Sequence, residues 1–154
     1  MQQARRNFLI RAGQLSLAGM ALTSGLMSRL VRAEETRPVF IATSIADAWK
    51  ALGVSDAKPS PDIAFKAPDI AENGAVVPVE IESKLANTRS ITILVEKNPH
   101  AMCASFTFPE GTEPYVSTRV KVAESSLIQA LVKTDAGAFY TTKIVKVTLG
   151  GCGG

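Results

Sequence analysis

From Ile63 onward, apolar residues recur at every second position in short runs. Val77, Val79 and Ile81 alternate in this way, as do Ile91, Ile93 and Val95, and then Val116, Thr118, Val120 and Val122. A period of two turns one side of a strand toward a core and the other toward water. The pattern predicts strands near 63–66, 76–83, 90–97, 102–108, 115–123, 126–134 and 138–149. Glu72-Asn73-Gly74, Lys97-Asn98-Pro99, Pro109-Glu110-Gly111 and Asp135-Ala136-Gly137 are the turn formers between them. About seven strands with no helix interposed predict a mainly β fold, an antiparallel sandwich of immunoglobulin-like type.

The period changes once. Ile45, Ala48, Trp49 and Leu52 share one face at helical spacing, Ser44 can cap the segment, Asp47 suits its first turn and Gly53 can end it. This predicts a short helix over 44–53 that covers an end or an edge of the sandwich, with Trp49 as a core anchor. Val54 to Asp62, with Pro59 and Pro61, reads as a connecting loop.

The N-terminus follows neither pattern. Arg5-Arg6-Asn7-Phe8-Leu9-Ile10 is a twin-arginine pattern, and a mildly apolar, acid-free stretch follows from Ala12 to Val31. Val31-Arg32-Ala33 places small residues where a signal peptidase reads, so residues 1–33 are expected to be an export signal cleaved after Ala33. Gly13, Gly19 and Gly25 with several Ser and Thr weaken that stretch as a membrane span, and no cysteine within it could carry a lipid anchor. Cleavage alters the charge argument. The whole chain carries a formal +3, but removing the five arginines of the signal leaves 12 basic against 14 acidic residues, a net of −2. The basic balance belongs to the signal and gives no reason to expect nucleic acid as a partner. The remaining 121 residues suffice for one domain, expected over 34–149.

The chain ends Gly150-Gly151-Cys152-Gly153-Gly154. Glycine packs poorly and is entropically costly to fix, so four glycines around a thiol suit a flexible arm better than a rigid corner. Three extended residues beyond Leu149 carry the Cys152 backbone roughly 10 Å from the last strand. The predicted arrangement is a sandwich, then a mobile arm over 150–154 that presents Cys152 as a point of substrate attachment.

Two cysteines, Cys103 and Cys152, in an oxidising compartment leave a second reading open, a Cys103–Cys152 disulfide that staples a periplasmic binding module. Cys103 falls at the start of a half-buried strand, where a lone thiol behaves as a small hydrophobe, and a staple would cancel the freedom the glycines give. Two cysteines and a single His100 fall short of a structural zinc site, so neither metal nor cofactor is expected. A Cys152–His100 pair would be the one route to a thiol hydrolase, yet a glycine arm fixes no hydrogen bond to a base. An exposed thiol with the usual pKa is only about 3% ionised at pH 7, so activation must come from a partner. Lys143 and Lys146, near the base of the arm, are candidates for attracting an anion or an acidic partner, or are simply a solvated strand face. The terminal Gly-Gly also fits a ubiquitin-like carrier activated at its carboxylate, but that activation uses cytoplasmic ATP and conflicts with export.

Taken together, the twin-arginine signal, Ala67-Pro68-Asp69-Ile70-Ala71-Glu72-Asn73-Gly74-Ala75-Val76-Val77-Pro78-Val79, Glu96-Lys97-Asn98-Pro99, Thr118-Arg119-Val120-Lys121 and the terminal Val147-Thr148-Leu149-Gly150-Gly151-Cys152-Gly153-Gly154 resemble the SoxY family. These are sulfur-carrier subunits of the periplasmic thiosulfate-oxidising system. The resemblance covers essentially the whole chain. It implies an immunoglobulin-like sandwich, a heterodimer with a SoxZ subunit that travels with this chain, and no catalysis by the chain alone. It also implies three transient partners. A haem c enzyme joins thiosulfate oxidatively to Cys152, a manganese-dependent hydrolase releases sulfate and leaves a persulfide, and in some organisms a molybdenum–haem sulfur dehydrogenase oxidises the remaining sulfur. The family pattern assigns no role to Cys103.

Overall fold

The computed structural model describes residues 38–148. The expected signal peptide (1–33) and the arm residues Gly150, Gly151, Cys152, Gly153 and Gly154 lie outside the described residues.

Nine strands form two sheets. The larger is built from β1 (Ala57–Pro59), β9 (Gly137–Val147), β8 (Ser126–Thr134), β5 (Thr88–Val95) and β6 (Met102–Thr107) in that order, with β3 (Ile70–Ala71) also pairing β9. The smaller is β2 (Ile63–Lys66), β4 (Val77–Ser83) and β7 (Tyr115–Val120), also in that order. All pairings are antiparallel except those of β1 and β3 with β9, which are parallel. The chain is an immunoglobulin-like sandwich, as the strand periodicity predicts. All seven predicted strands are present, with ends displaced by up to three residues. β1 and β3 had no strand signal because runs of three and two residues show no period. Pro59 is tolerated because β1 is an edge strand.

The alternating stripes meet between the sheets. Ile63, Val77, Val79, Ile81, Val116 and Val120 of the small sheet pack on Ile91, Ile93, Val95, Ile128, Ala130, Val132 and Val145 of the large one. Each fully buried Ile or Val contributes roughly 1.5–3 kcal/mol. Burial on β5 and β8 does not alternate, however. Residues 91–95 and 128–132 are all buried, so these stretches are enclosed on both faces. The reason is the helix.

Helix α1 (Ile45–Ala51) lies on the outer face of the large sheet, where Ala48, Ile45, Trp49 and Leu52 pack with Leu94, Met102, Leu131 and Tyr140. The expectation that it covers an end or an edge is thus corrected: it buries the second face of β5 and β8. Its ends follow the sequence signals. Ser44 Oγ accepts from the Asp47 amide at 3.0 Å and its hydroxyl donates to Asp47 Oδ2 at 2.7 Å. At the other end Gly53 has φ +69, its amide donates to Lys50 O and the Val54 amide to Trp49 O, a paired closure that needs a left-handed residue. Trp49 Nε1 donates to Gln129 Oε1 at 2.8 Å and its ring meets Tyr140 with centroids 5.5 Å apart, so the indole is an anchor with its polar atom satisfied. The predicted loop over 54–62 contains β1, which seals the β9 edge.

Candidate functional site

The last described residue, Thr148, precedes the Leu149–Gly154 segment, so the described part of the candidate site is the root of that segment. β9 is held there from both sides. On one side the Ser126 to Val145 pairing continues the β8 ladder. On the other, β3 takes the parallel register Ile70↔Lys146 and Ala71↔Val147, with the Lys146 amide donating to Asp69 O at 2.9 Å and the Thr148 amide to Ala71 O at 3.1 Å. On the β8 side again, Ser125 Oγ, just ahead of that strand, accepts from the Val147 amide at 2.9 Å. The backbone is therefore anchored through Thr148, and Cys152 lies four residues, at most about 14 Å, beyond that anchor.

The Asn73-Gly74 turn, read from sequence as a generic turn former, has a specific task at this root. Asn73 Oδ1 accepts from the Ala75 amide at 2.9 Å and starts a 3₁₀ turn, Gly74–Val76. Gly74 O accepts from the Val122 amide at 2.7 Å. A Cβ on Gly74 would collide with Val122 O and come within 2.9 Å of Val147 Cγ1. The glycine lets the turn close directly over Val147.

Asn98 does comparable work from the β5–β6 turn. Its Nδ2 donates to Lys121 O at 2.7 Å and its Oδ1 accepts from the Ala123 amide at 2.9 Å. These bonds fix the segment leaving β7, which carries Val122 and Ser125 to the root. Neither Asn98 nor Ser125 could be assigned this role from sequence, because their partners lie 23 to 25 and 22 residues away.

Cys103 is a free, partly buried thiol on β6. Its position is a bulge: Ile93 pairs Ala104 while Leu94 pairs Met102, leaving Cys103 without an opposite residue. The thiol packs against the main core, receives Asn98 Nδ2 at 3.4 Å and faces Lys121 O at 3.9 Å. Burial pushes its pKa above the ordinary cysteine value, and the Asn98 bond opposes that only in part. It is a protonated packing residue at neutral pH, in keeping with its reading as a small hydrophobe.

The other candidates separate. His100 is exposed in the β5–β6 turn. Lys143 forms an ion pair with Asp69 at 3.2 Å, so its charge is already met, whereas Lys146 is exposed on the outer face of β9. Among the described residues no three of His, Cys, Asp or Glu converge as metal ligands.

The chain has clear likenesses to known proteins. The solved structure of the sulfur carrier protein SoxY from Chlorobium limicola f thiosulfatophilum is 31% identical, with a TM-score of 0.60, over 68% of this chain and 96% of that one. A superoxide reductase (neelaredoxin) from Ignicoccus hospitalis is 19% identical, with a TM-score of 0.50, over 56% of this chain and 80% of that one, a likeness of fold alone. No curated protein matches the chain in sequence. The family described as sulfur oxidation protein SoxY matches residues 49–152, from Trp49 of α1 to Cys152 itself. With that match over most of its length, the chain belongs to the SoxY family.

Proposed function

We propose that the chain is a covalent sulfur carrier in periplasmic thiosulfate oxidation, with Cys152 as the attachment point and 150–154 as a mobile arm. The observation that carries this reading is the family match running to Cys152, joined to a β9 root anchored through Thr148. An arm does useful work only if its base is fixed, and here hydrogen bonds from three elements fix it. Residues 1–33 are the twin-arginine signal, and export in the folded state lets a SoxZ subunit travel with the chain as a heterodimer.

The Cys152 thiolate and thiosulfate form an S–S bond with loss of two electrons to a haem c enzyme, giving Cys–S–S–SO₃⁻. Water then cleaves the sulfur–sulfonate bond in a manganese-dependent hydrolase, releasing sulfate and two protons and leaving the persulfide on Cys152. A sulfur dehydrogenase, where present, oxidises that outer sulfur for a further hydrolysis. The chain supplies the thiol and its delivery, and every activating group belongs to a partner.

Cys152→Ser should abolish loading by thiosulfate while leaving thermal stability and subunit association unchanged. The direct assay is the mass of the Val147–Gly154 peptide, isolated without reductant after thiosulfate exposure. Sulfur or thiosulfonate on Cys152 supports the carrier. A Cys103–Cys152 disulfide as the sole form would refute it in favour of the stapled binding module, a reading the partly buried, protonated Cys103 does not favour.

A further inference from the structure

The β8–β9 ladder ends with Ser126 opposite Val145. Continued in the same register it would set Glu124 opposite Val147, but the chain bends away over 123–125 and β8 begins only at Ser126. A side chain takes the place of the missing backbone partner. Ser125 Oγ accepts from the Val147 amide at 2.9 Å, and its hydroxyl donates to Val147 O at 3.4 Å. One hydroxyl thus closes both polar groups of Val147. The bend that brings Ser125 there is itself fixed. Asn98 bonds Lys121 O and the Ala123 amide, and the Lys97 amide donates to Ser126 Oγ at 3.0 Å.

Beyond Val145 this clip is the only hydrogen bonding on the β8 side of the strand among the described residues. On the other side β3, two residues long, supplies the bonds to Lys146 and Thr148. Residues 146–148 are therefore the part of β9 that opens most readily. The ladder behind them is continuous from Gly137 to Val145, whereas they hang on few bonds and Lys146 and Thr148 are exposed. Opening would change the reach of the chain end. With the clip closed, Cys152 stands four residues, at most about 14 Å, beyond Thr148; release of 146–148 adds three residues, roughly 10 Å. A longer tether also dilutes the thiol it carries, here by about twofold, because effective concentration falls as the −3/2 power of length.

We propose that Ser125 is the positioning residue that fixes where the carrier arm begins: its hydroxyl, closed on Val147, keeps Thr148 as the last anchored residue and so sets the reach of the Cys152 thiol into an acting enzyme. The proposal rests on the carrier reading above. Ser125 touches no substrate and acts only through Val147. Loss of its hydroxyl shifts the opening equilibrium of 146–148 by about two- to tenfold, the span of an ordinary net hydrogen bond. The consequence has opposite signs in arms of different length. An arm of natural length already reaches, so opening only dilutes its thiol. An arm cut short reaches only when 146–148 open, so its rate follows the open population.

The test uses that change of sign. Heterodimers carrying serine, Ser125→Ala or Ser125→Thr are each made with the natural arm and with an arm lacking Gly150 and Gly151, which shortens its reach by roughly 7 Å. Tetrathionate loads all of them without an enzyme: the thiolate attacks a central sulfur, forming Cys–S–S–SO₃⁻ and expelling thiosulfate. Loading is checked by the mass of the terminal peptide, and sulfate release by the hydrolase is then followed. Shortening the arm should lower kcat/KM. In the short arm Ser125→Ala should raise it again by about two- to tenfold, whereas in the natural arm the same change should lower it by no more than about twofold. Ser125→Thr, which keeps the hydroxyl, should behave as serine in both. Amide exchange at Val147 should quicken in Ser125→Ala while that at Leu131 is unchanged. Undiminished cleavage of the short arm, no gain from Ser125→Ala in it, or unchanged exchange at Val147 would each overturn the proposal. A wild-type carrier that loads on Cys152 but is not cleaved would instead overturn the carrier reading.

Discussion

Gly74→Ala is the sharpest single-atom test of how the arm is held. The added methyl meets two obstacles of different stiffness. One is Val147 Cγ1 at 2.9 Å, the other Val122 O, which lies closer still. A side chain can rotate away, but the Val122 backbone is tied to Gly74 itself by the 2.7 Å bond from its amide. The turn must therefore lift, straining that bond and the packing on Val147. Overpacking at such sites costs about 1–3 kcal/mol. For the roughly 110 residues described, an unfolding entropy of about 2.1 cal/mol/K per residue gives about 0.23 kcal/mol/K, so Tm should fall by about 4–13 °C. Differential scanning calorimetry on wild type, Gly74→Ala, Val147→Ala and the double variant measures it. If the backbone carbonyl is the stiff obstacle, Val147→Ala should rescue little of the loss. A Gly74→Ala protein melting within about 1 °C of wild type would show that the turn gives way freely, and would refute the argument that this glycine is required by close approach.

Three further outcomes are expected. Asn98→Ala should destabilise by about 1–3 kcal/mol, because Lys121 O and the Ala123 amide each lose a partner, and amide exchange at Ala123 should accelerate; unchanged protection there would dismiss the bridging role. Trp49→Phe should cost about 1–3 kcal/mol by leaving the buried Gln129 Oε1 without its donor, and Gln129→Met in the same chain should recover much of it, which urea titration will show. Cys103, its pKa raised by burial, should alkylate more slowly than Cys152 in the native protein at pH 8, with the gap closing in urea. Since the folded value lies above the unfolded one, the corresponding stability is intact below the ordinary cysteine range and is lost as pH rises through the folded value. Equal native rates in mass-resolved labelling would contradict this placement.

The strands, the capped helix and the turns were legible because each is a local signal. Val77-Pro78-Val79-Glu80-Ile81 carries its own period, and Ser44 and Gly53 carry their own caps. What stayed hidden depends on partners far along the chain. Nothing near Ala57 or Ile70 announces a strand, because β1 and β3 exist only as additions to β9. The helix face could be read, but not the sheet face it covers; the unbroken apolar run Ile93-Leu94-Val95 was the one available sign that β5 is enclosed on both sides. Gly74 showed a turn former but not the contact with Val147 that demands it. For Cys152 the legibility is reversed: its composition and the family match point to it, while the structure describes its anchor.

The placement of β9 has a mechanical consequence. Its neighbours are β8 along its length and β1 and β3 on its other side, and it runs straight to Thr148. A pull on the C-terminus acts along the strand axis, across the antiparallel hydrogen bonds to β8, which lie nearly perpendicular to it. Such a pull shears the whole ladder at once, where an edge strand peeled sideways would yield one bond at a time. A partner could grip and release the end of this chain many times without unravelling the domain behind it.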